Sequence, residues 1–183
     1  MELTENEEFM VRAFRNGWKK LLDVEKAHDL KPGVWMKQFM DHSRGHKSLQ
    51  VGVKDKTGRL SDDFVTLDLF DTSPVIDHNY DVMDMPFEDN IFRCIHCQSV
   101  LEHIPDPTRA IAEMHRVLEP GGYIWVQLPW QLQYHAHPKD YWRVSPEGLR
   151  VWLKKFREIK CGPVSFRRTG LNISVFFFGE KSS

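Results

Sequence analysis

The sequence predicts one α/β domain with a mostly parallel sheet, helices on both faces and an antiparallel hairpin at one edge. Two patterns support this prediction. From Leu49 onward, short apolar runs typical of strands alternate with amphipathic helical segments, as they do in parallel sheets. The last two apolar runs are joined by a loop of about ten residues without a helical pattern, which favours an antiparallel pair.

The composition limits the classes of protein to which the chain can belong. A chain of 183 residues, 41% hydrophobic and 12% aromatic, can bury a core of its own. A net charge of −1 gives no general attraction to nucleic acid, and no apolar run approaches the roughly 20 residues of a membrane span. The acidic start MELTENEEFM differs from a secretory signal, and three cysteines cannot all pair with each other. We therefore expect a cytoplasmic protein without a nucleic-acid partner.

Residues 1–47 are predicted to form a helical N-terminal extension packed on the core, and residues 48–183 the α/β domain. Thr4 and Glu7 have the spacing of a capping box before an apolar stripe, which predicts a helix over residues 4–28. A second helical pattern, VWMKQFM, follows the segment KPG, whose proline and glycine break the first helix. This extension covers the sheet, caps a bound cofactor or forms the seam of a homodimer.

The α/β domain contains two predicted helices and six predicted strands. Asp106 can cap a helix over 107–118, since Pro107 suits its first turn. Ser145 begins a second helix, over 146–155, in the same way. The predicted strands span residues 49–53, 64–69, 92–97, 122–128, 156–161 and 171–179.

Small or acidic residues follow the predicted strands at the edge where an open α/β sheet binds its ligands. Gly52 lets backbone approach a ligand closely. Asp68 can accept hydrogen bonds from both hydroxyls of a ribose. Asp81 can accept from an adenine amino group while the backbone N–H of Val82 donates to the ring. A turn or a cap would explain each residue alone, so it is their order and spacing that favour a nucleotide-like ligand.

Two clusters contain side chains that bind metals or transfer protons. Cys94 and Cys97 have the spacing of a metal knuckle, but residues three apart on a strand point to opposite faces, so we predict no metal there. His135, His137 and Asp140 lie together in QYHAHPKDYW and form the predicted catalytic set. One histidine can act as a general base, because its pKa lies near working pH. Alternatively, His135 and Asp140 only clamp the loop, or the three residues bind a metal ion in a hydrolase.

Four blocks occur in order along the chain: YDVMDMPFEDNIF, VLEHIPDP, RVLEPGG and LPWQLQYHAHPKDYWRVSPEGL. With them, residues 48–160 resemble the class I S-adenosylmethionine-dependent methyltransferases, most closely the methyltransferase type 11-like branch with a P…H…P.DYWR.TPEGL segment. The resemblance implies a Rossmann-like three-layer sandwich of seven strands, the last one inserted antiparallel. It also implies S-adenosylmethionine as the cofactor and a small-molecule acceptor, such as a saccharide or lipid precursor.

The resemblance also implies where the cofactor lies. The glycine turn after the first strand would face the methionine part, the acidic strand ends would hold ribose and adenine, and the end of strand 92–97 would line the sulfonium region. The cofactor-binding residues implied in this way are Gly52, Asp68, Leu69, Asp81, Val82, Cys97 and Gln98.

The glycine turn itself departs from the family pattern. Members usually have an acidic residue, then Gly-x-Gly-x-Gly and a helix, whereas this chain has Gln50 before Gly52 and lysines, Lys54 and Lys56, near the later glycine positions. A second departure is Arg93, which stands where an aspartate is usual. An alternative function is therefore a methyltransferase fold that has lost catalysis and serves as a binding or partner subunit. A partner that completes the donor site is also open, as are the acceptor and the atom that is methylated.

Overall fold

The computed structural model describes residues 32–53, 58–165 and 173–182. The chain divides into two compact units, Met1–Lys31 and Pro32–Ser183, and all described residues belong to the second. The predicted helix over 4–28 lies outside the described residues, so the division at residue 47 stays a prediction.

Three helices, one short 3-10 turn and six strands make up the described part of the chain. The helices are α1 (Pro32–Ser43), α2 (Pro107–Val117) and α3 (Pro146–Trp152), and the 3-10 turn is Leu101–His103. None of these described helices is long and apolar enough to cross a membrane. The strands are β1 (Ser48–Val51), β2 (Phe64–Leu67), β3 (Phe92–Gln98), β4 (Leu118–Gln131), β5 (Phe156–Ser165) and β6 (Ile173–Lys181).

The strands form one sheet in the order β2-β1-β3-β4-β6-β5. The first four strands are parallel, while β6 runs antiparallel between β4 and β5. The predicted parallel sheet with an antiparallel edge hairpin is therefore confirmed. The described residues contain six strands rather than the seven that the resemblance implies. Among the described residues, an isolated bridge joins Leu67 of β2 to His78, and the side chain of Asp77 accepts from the Thr66 N–H at 2.9 Å.

Helices cover both faces of the sheet. Side chains alternate between the two faces along a strand, so Ile95 of β3 packs in the apolar cluster with Met114 of α2 and Leu149 of α3. His96 points to the other face, where its ring lies 6.1 Å from the ring of Phe39 in α1. Phe39 is fully buried there. The predicted three layers are thus helices α2 and α3, the sheet, and helix α1.

The local sequence explains where the helices begin. Asp106 Oδ1 accepts hydrogen bonds from the N–H groups of Thr108 and Arg109, both at 3.1 Å, which caps α2 as predicted. Ser145 Oγ likewise accepts from the Gly148 N–H at 3.2 Å and begins α3. Helix α1 begins at Pro32, two residues before the predicted segment VWMKQFM, because a missing N–H costs nothing in a first helical turn. The prediction that KPG ends a preceding helix concerns residues outside the described ones.

Candidate functional site

A cavity of about 1320 Å³ opens at the carboxyl ends of β1, β2 and β3. This is the edge at which open α/β sheets bind their ligands. The structure brings most of the predicted site residues together there. Those that line the cavity are Gly52, Asp68, Leu69, Asp81, Val82, Gln98, His135 and His137.

Two predicted site residues, Cys97 and Asp140, lie outside this lining. Cys97 is 1% exposed and belongs to the apolar cluster between the sheet and the helices, and this burial raises the pKa of its thiol. Burial also raises the pKa of the Cys94 thiol, to about 12, so both cysteines are held in the thiol form. The side chain of Cys97 therefore contributes packing beneath the cavity.

The acidic residues Asp68 and Asp81 are held at the cavity wall by tight turns. Asp68 Oδ1 accepts hydrogen bonds from the N–H groups of Phe70 and Asp71, both at 2.9 Å. Asp81 Oδ1 accepts from the Met83 N–H at 2.8 Å. In each carboxylate the second oxygen, Oδ2, takes no part in these bonds. Each turn thus fixes one oxygen and orients the carboxylate at the cavity.

The turn after β1 depends on glycine for reasons internal to the fold. Gly52 has φ +74°, a conformation that side chains disfavour. A Cβ built on it would lie 2.2 Å from Cγ2 of Val100, which also lines the cavity. Val100 thus occupies the space beside the turn, so glycine is required at this position whether or not a ligand binds.

The connection from β1 to β2 is held by Gln50, which stands where the family has an acidic residue. Its Nε2 donates to the Gly58 carbonyl at 2.6 Å, and its Oε1 accepts from the Leu60 N–H at 2.9 Å. An amide can donate and accept at once, whereas a carboxylate only accepts. Residues 58–63 contain no helix, and Lys54 and Lys56 lie outside the described residues. Glutamine at this position can therefore hold the short segment that leads the chain back to β2.

The other departure from the family pattern lies away from the cavity. Arg93, near the start of β3, pairs with Glu119 at 3.1 Å. Its guanidinium lies over the ring of Tyr123, 5.1 Å from the centroid. The start of a parallel strand is opposite to its ligand-binding end, so Arg93 stabilises the sheet rather than the site.

Asp140 organises the loop after β4. Its two oxygens bind the guanidinium of Arg143, at 2.6 and 2.7 Å, and Oδ2 also accepts from the His135 N–H at 2.8 Å. The side chain is only 1% exposed. The Arg143 hydrogen bonds hold the pKa of Asp140 well below its usual range. Of the alternatives given by the sequence, this geometry favours the clamp for Asp140.

A cluster that the sequence reasoning missed lies at one end of the cavity. Glu102, in the 3-10 turn after β3, is fully buried, and its Oε1 lies 3.7 Å from His135 Nε2 and 3.8 Å from His103 Nε2. Burial lowers the pKa of His103. The ring of His137 lies 6.4 Å from that of His103. The sequence contained one sign of this cluster. Glu102 and His103 follow the end of a predicted strand, inside the block VLEHIPDP, which was considered only as part of the family resemblance.

Comparison with known proteins gives a family for part of the chain. Residues 60–126 match the family model described as a methyltransferase domain. An uncharacterized methyltransferase of Schizosaccharomyces pombe is 37% identical over 60 residues, which are 33% of this chain and 22% of that protein. The chain thus matches about a fifth of the length of this relative.

Two solved structures show the similarity of the fold. Phosphoethanolamine N-methyltransferase 2 of Haemonchus contortus, in complex with phosphomonomethylethanolamine and S-adenosylhomocysteine, matches with a TM-score of 0.63 and 14% identity over 82% of this chain and 52% of that one. The 1,6-didemethyltoxoflavin-N1-methyltransferase of Burkholderia thailandensis, with bound 1,6-didemethyltoxoflavin and S-adenosylhomocysteine, matches with a TM-score of 0.60 and 14% identity over 100% of this chain and 93% of that one.

The strand order, the cavity at the strand ends and the matched segment all agree with a methyltransferase fold. Residues 60–126 thus match a methyltransferase domain, and the fold of the described residues is similar to that of solved methyltransferases.

Proposed function

We propose that the chain binds S-adenosylmethionine in the cavity at the strand ends and transfers its methyl group to a small molecule. The observation that carries this proposal is the joint placement of Asp68 and Asp81 on the wall of one cavity, each oriented by a turn. Both positions match those that the family uses for the donor nucleoside.

The residues present fit the donor. Asp68 Oδ2 is placed to accept from the ribose hydroxyls, because Oδ1 is occupied by the turn. Asp81 would accept from the adenine amino group, and the N–H of Val82 would donate to the ring. Gln98 and Gly52, at the ends of β3 and β1, would face the methionine part. When bound, the donor supplies a methyl group activated by its sulfonium charge.

The rest of the cavity offers space for an acceptor. Its volume of about 1320 Å³ exceeds the roughly 300–1,000 Å³ typical of a site for one small ligand. Gln127 of β4 and the histidines His135 and His137 of the loop after β4 also line the cavity, and two strands separate β4 from β2, which precedes Asp68. These residues would orient the acceptor in line with the methyl group, and His135 or His137 would remove a proton from an acceptor that must lose one.

The test is calorimetric titration of S-adenosylhomocysteine into the chain and three variants. Asp68→Ala removes both the turn and the ribose contact, while Asp68→Asn keeps an oxygen for the turn and removes the charge. Hydrogen bonds to a charged group contribute about 1.5–3 kcal/mol, so we expect affinity to fall roughly 10- to 100-fold in both variants. Asp62→Ala, an exposed aspartate outside the cavity lining, is the matched control and should bind like wild type. Equal affinity in all four proteins would refute the proposal.

A second function, that of a binding or partner subunit without catalysis, is favoured by two observations. Val100 occupies the space beside Gly52, and residues 58–63 contain no helix where the family has one after its glycine turn. Under this alternative the isolated chain binds neither S-adenosylmethionine nor S-adenosylhomocysteine, and Asp68→Ala leaves partner binding unchanged.

A further inference from the structure

The hydrogen bonds of His103 determine which of its ring nitrogens carries the hydrogen. Its Nδ1 lies 2.5 Å from the backbone carbonyl oxygen of Lys139. A carbonyl oxygen only accepts, so Nδ1 must donate and carries the N–H. In the neutral ring the lone pair then lies on Nε2, which faces Glu102.

His135 is constrained in the same way. Its Nδ1 lies 3.1 Å from the carbonyl oxygen of Gln133 and 3.3 Å from Asp140 Oδ2, and both atoms are acceptors. Arg143 Nη2 also lies 3.2 Å from Nδ1, but it donates to Asp140 Oδ2 and to the Gln133 carbonyl, at 2.7 and 3.0 Å. The N–H of His135 is therefore at Nδ1, and the lone pair of the neutral ring is at Nε2.

Both Nε2 atoms thus lie near one carboxylate oxygen, 3.8 Å (His103) and 3.7 Å (His135) from Glu102 Oε1. One ligand atom from each of the three residues lies within 4.8 Å of the other two. A cation between these three side chains would therefore meet two imidazole nitrogens and one carboxylate oxygen.

We propose that Glu102, His103 and His135 bind one divalent transition-metal ion at the acceptor end of the cavity. Histidines that ligate metals almost always donate their other N–H to a carbonyl or a carboxylate, as both of these histidines do. Two imidazoles and one carboxylate suit ions such as Zn²⁺ and Co²⁺, whereas Mg²⁺ prefers oxygen ligands and water.

Bonds of about 2.0–2.2 Å in a tetrahedral site place ligand atoms about 3.3 Å apart. The Glu102–histidine pairs must therefore shorten by about 0.5 Å, and the two histidine ligand atoms, which lie within 4.8 Å of each other, by up to about 1.5 Å. His135, whose side chain is 37% exposed, can make this movement. Because all three residues line the cavity, the remaining coordination positions face the space assigned to the acceptor. That an acceptor oxygen would bind there rests on the proposed function; metal binding itself does not.

The test is titration of the full, metal-free chain with Zn²⁺, Co²⁺ and Mg²⁺ by calorimetry, with the visible absorption of Co²⁺ as a second readout. We expect one equivalent of Zn²⁺ or Co²⁺ to bind and Mg²⁺ not to bind. Glu102→Gln and His135→Asn should each weaken Zn²⁺ binding at least 100-fold. Since Glu102 is fully buried and its variant can fail to fold, His135→Asn keeps the test decisive.

Two control variants separate this site from other histidines. His46→Asn, an exposed residue outside the cavity lining, and His137→Asn, in the lining but outside the cluster, should both bind Zn²⁺ like wild type. Absence of Zn²⁺ binding by wild type, or equal binding by His135→Asn, would overturn the proposal. A parallel titration with S-adenosylhomocysteine shows whether the donor site fails independently of the metal site.

Discussion

Replacing Gly52 by alanine tests whether the turn after β1 is required by the fold itself. Two costs add at this position. An L-residue in the left-handed region, here at φ +74°, costs about 1–2 kcal/mol. A methyl group placed 2.2 Å from Val100 Cγ2 also forces neighbouring atoms apart, at about 1–3 kcal/mol. We therefore expect Gly52→Ala to lower the free energy of unfolding by about 2–5 kcal/mol.

The structure supplies a matched control for the backbone cost. Gly45 has nearly the same φ, +73°, but an added Cβ meets nothing within 4 Å. Gly45→Ala should therefore lose only about 1–2 kcal/mol. In the double variant Gly52→Ala/Val100→Ala the steric overlap is gone, so its loss should be about 1–3 kcal/mol smaller than the sum of the two single losses.

Equilibrium unfolding in urea measures all five proteins. The reasoning is refuted if Gly52→Ala loses no more stability than Gly45→Ala, or if the losses at Gly52 and Val100 simply add. Confirmation would mean that this glycine reports the packing of the turn and is not by itself evidence for a cofactor.

Two further predictions concern titratable groups. Burial lowers the pKa of His96 to about 4, whereas the unfolded chain takes up the same proton near pH 6.5. Acidification across that window therefore favours the unfolded state and should cost about 3 kcal/mol through His96. Urea unfolding should show this loss in wild type, and the loss should be about 3 kcal/mol smaller in His96→Gln. Arg143→Gln leaves the 1% exposed carboxylate of Asp140 without its cation. We therefore expect the free energy of unfolding to fall by about 3 kcal/mol and proteolysis in the loop after β4 to become faster. Arg150→Gln, whose partner Glu158 is 35% exposed, should have a milder effect.

Most of the fold could be predicted because its signals are local. The alternation of strands and helices, and the caps at Asp106 and Ser145, depend on neighbouring residues and are confirmed. Helix α1 begins at Pro32, two residues before the predicted segment, because proline is favoured in a first helical turn. The ends of α2 and α3 shift by one to three residues, as fraying helix ends do.

The candidate site could be predicted only where topology places residues. Asp68 follows from the rule that strand ends share one edge of the sheet, whereas Asp81 follows from the resemblance to the methyltransferases. The contact of His135 with Glu102 could not be predicted, since the two lie far apart in sequence and meet only when the loop after β4 folds over the 3-10 turn. The bonds of Gln50 to Gly58 and Leu60 depend likewise on where the chain returns after a short connection.

The central claim is that the methyl donor lies at the carboxyl ends of β1, β2 and β3. The most direct measurement is a crystal structure of the full chain grown with S-adenosylhomocysteine. The account predicts the ribose hydroxyls at Asp68, the adenine between Asp81 and Val82, and the homocysteine part toward Gln98. Ligand density elsewhere, or an adenosine that contacts neither aspartate, would contradict it.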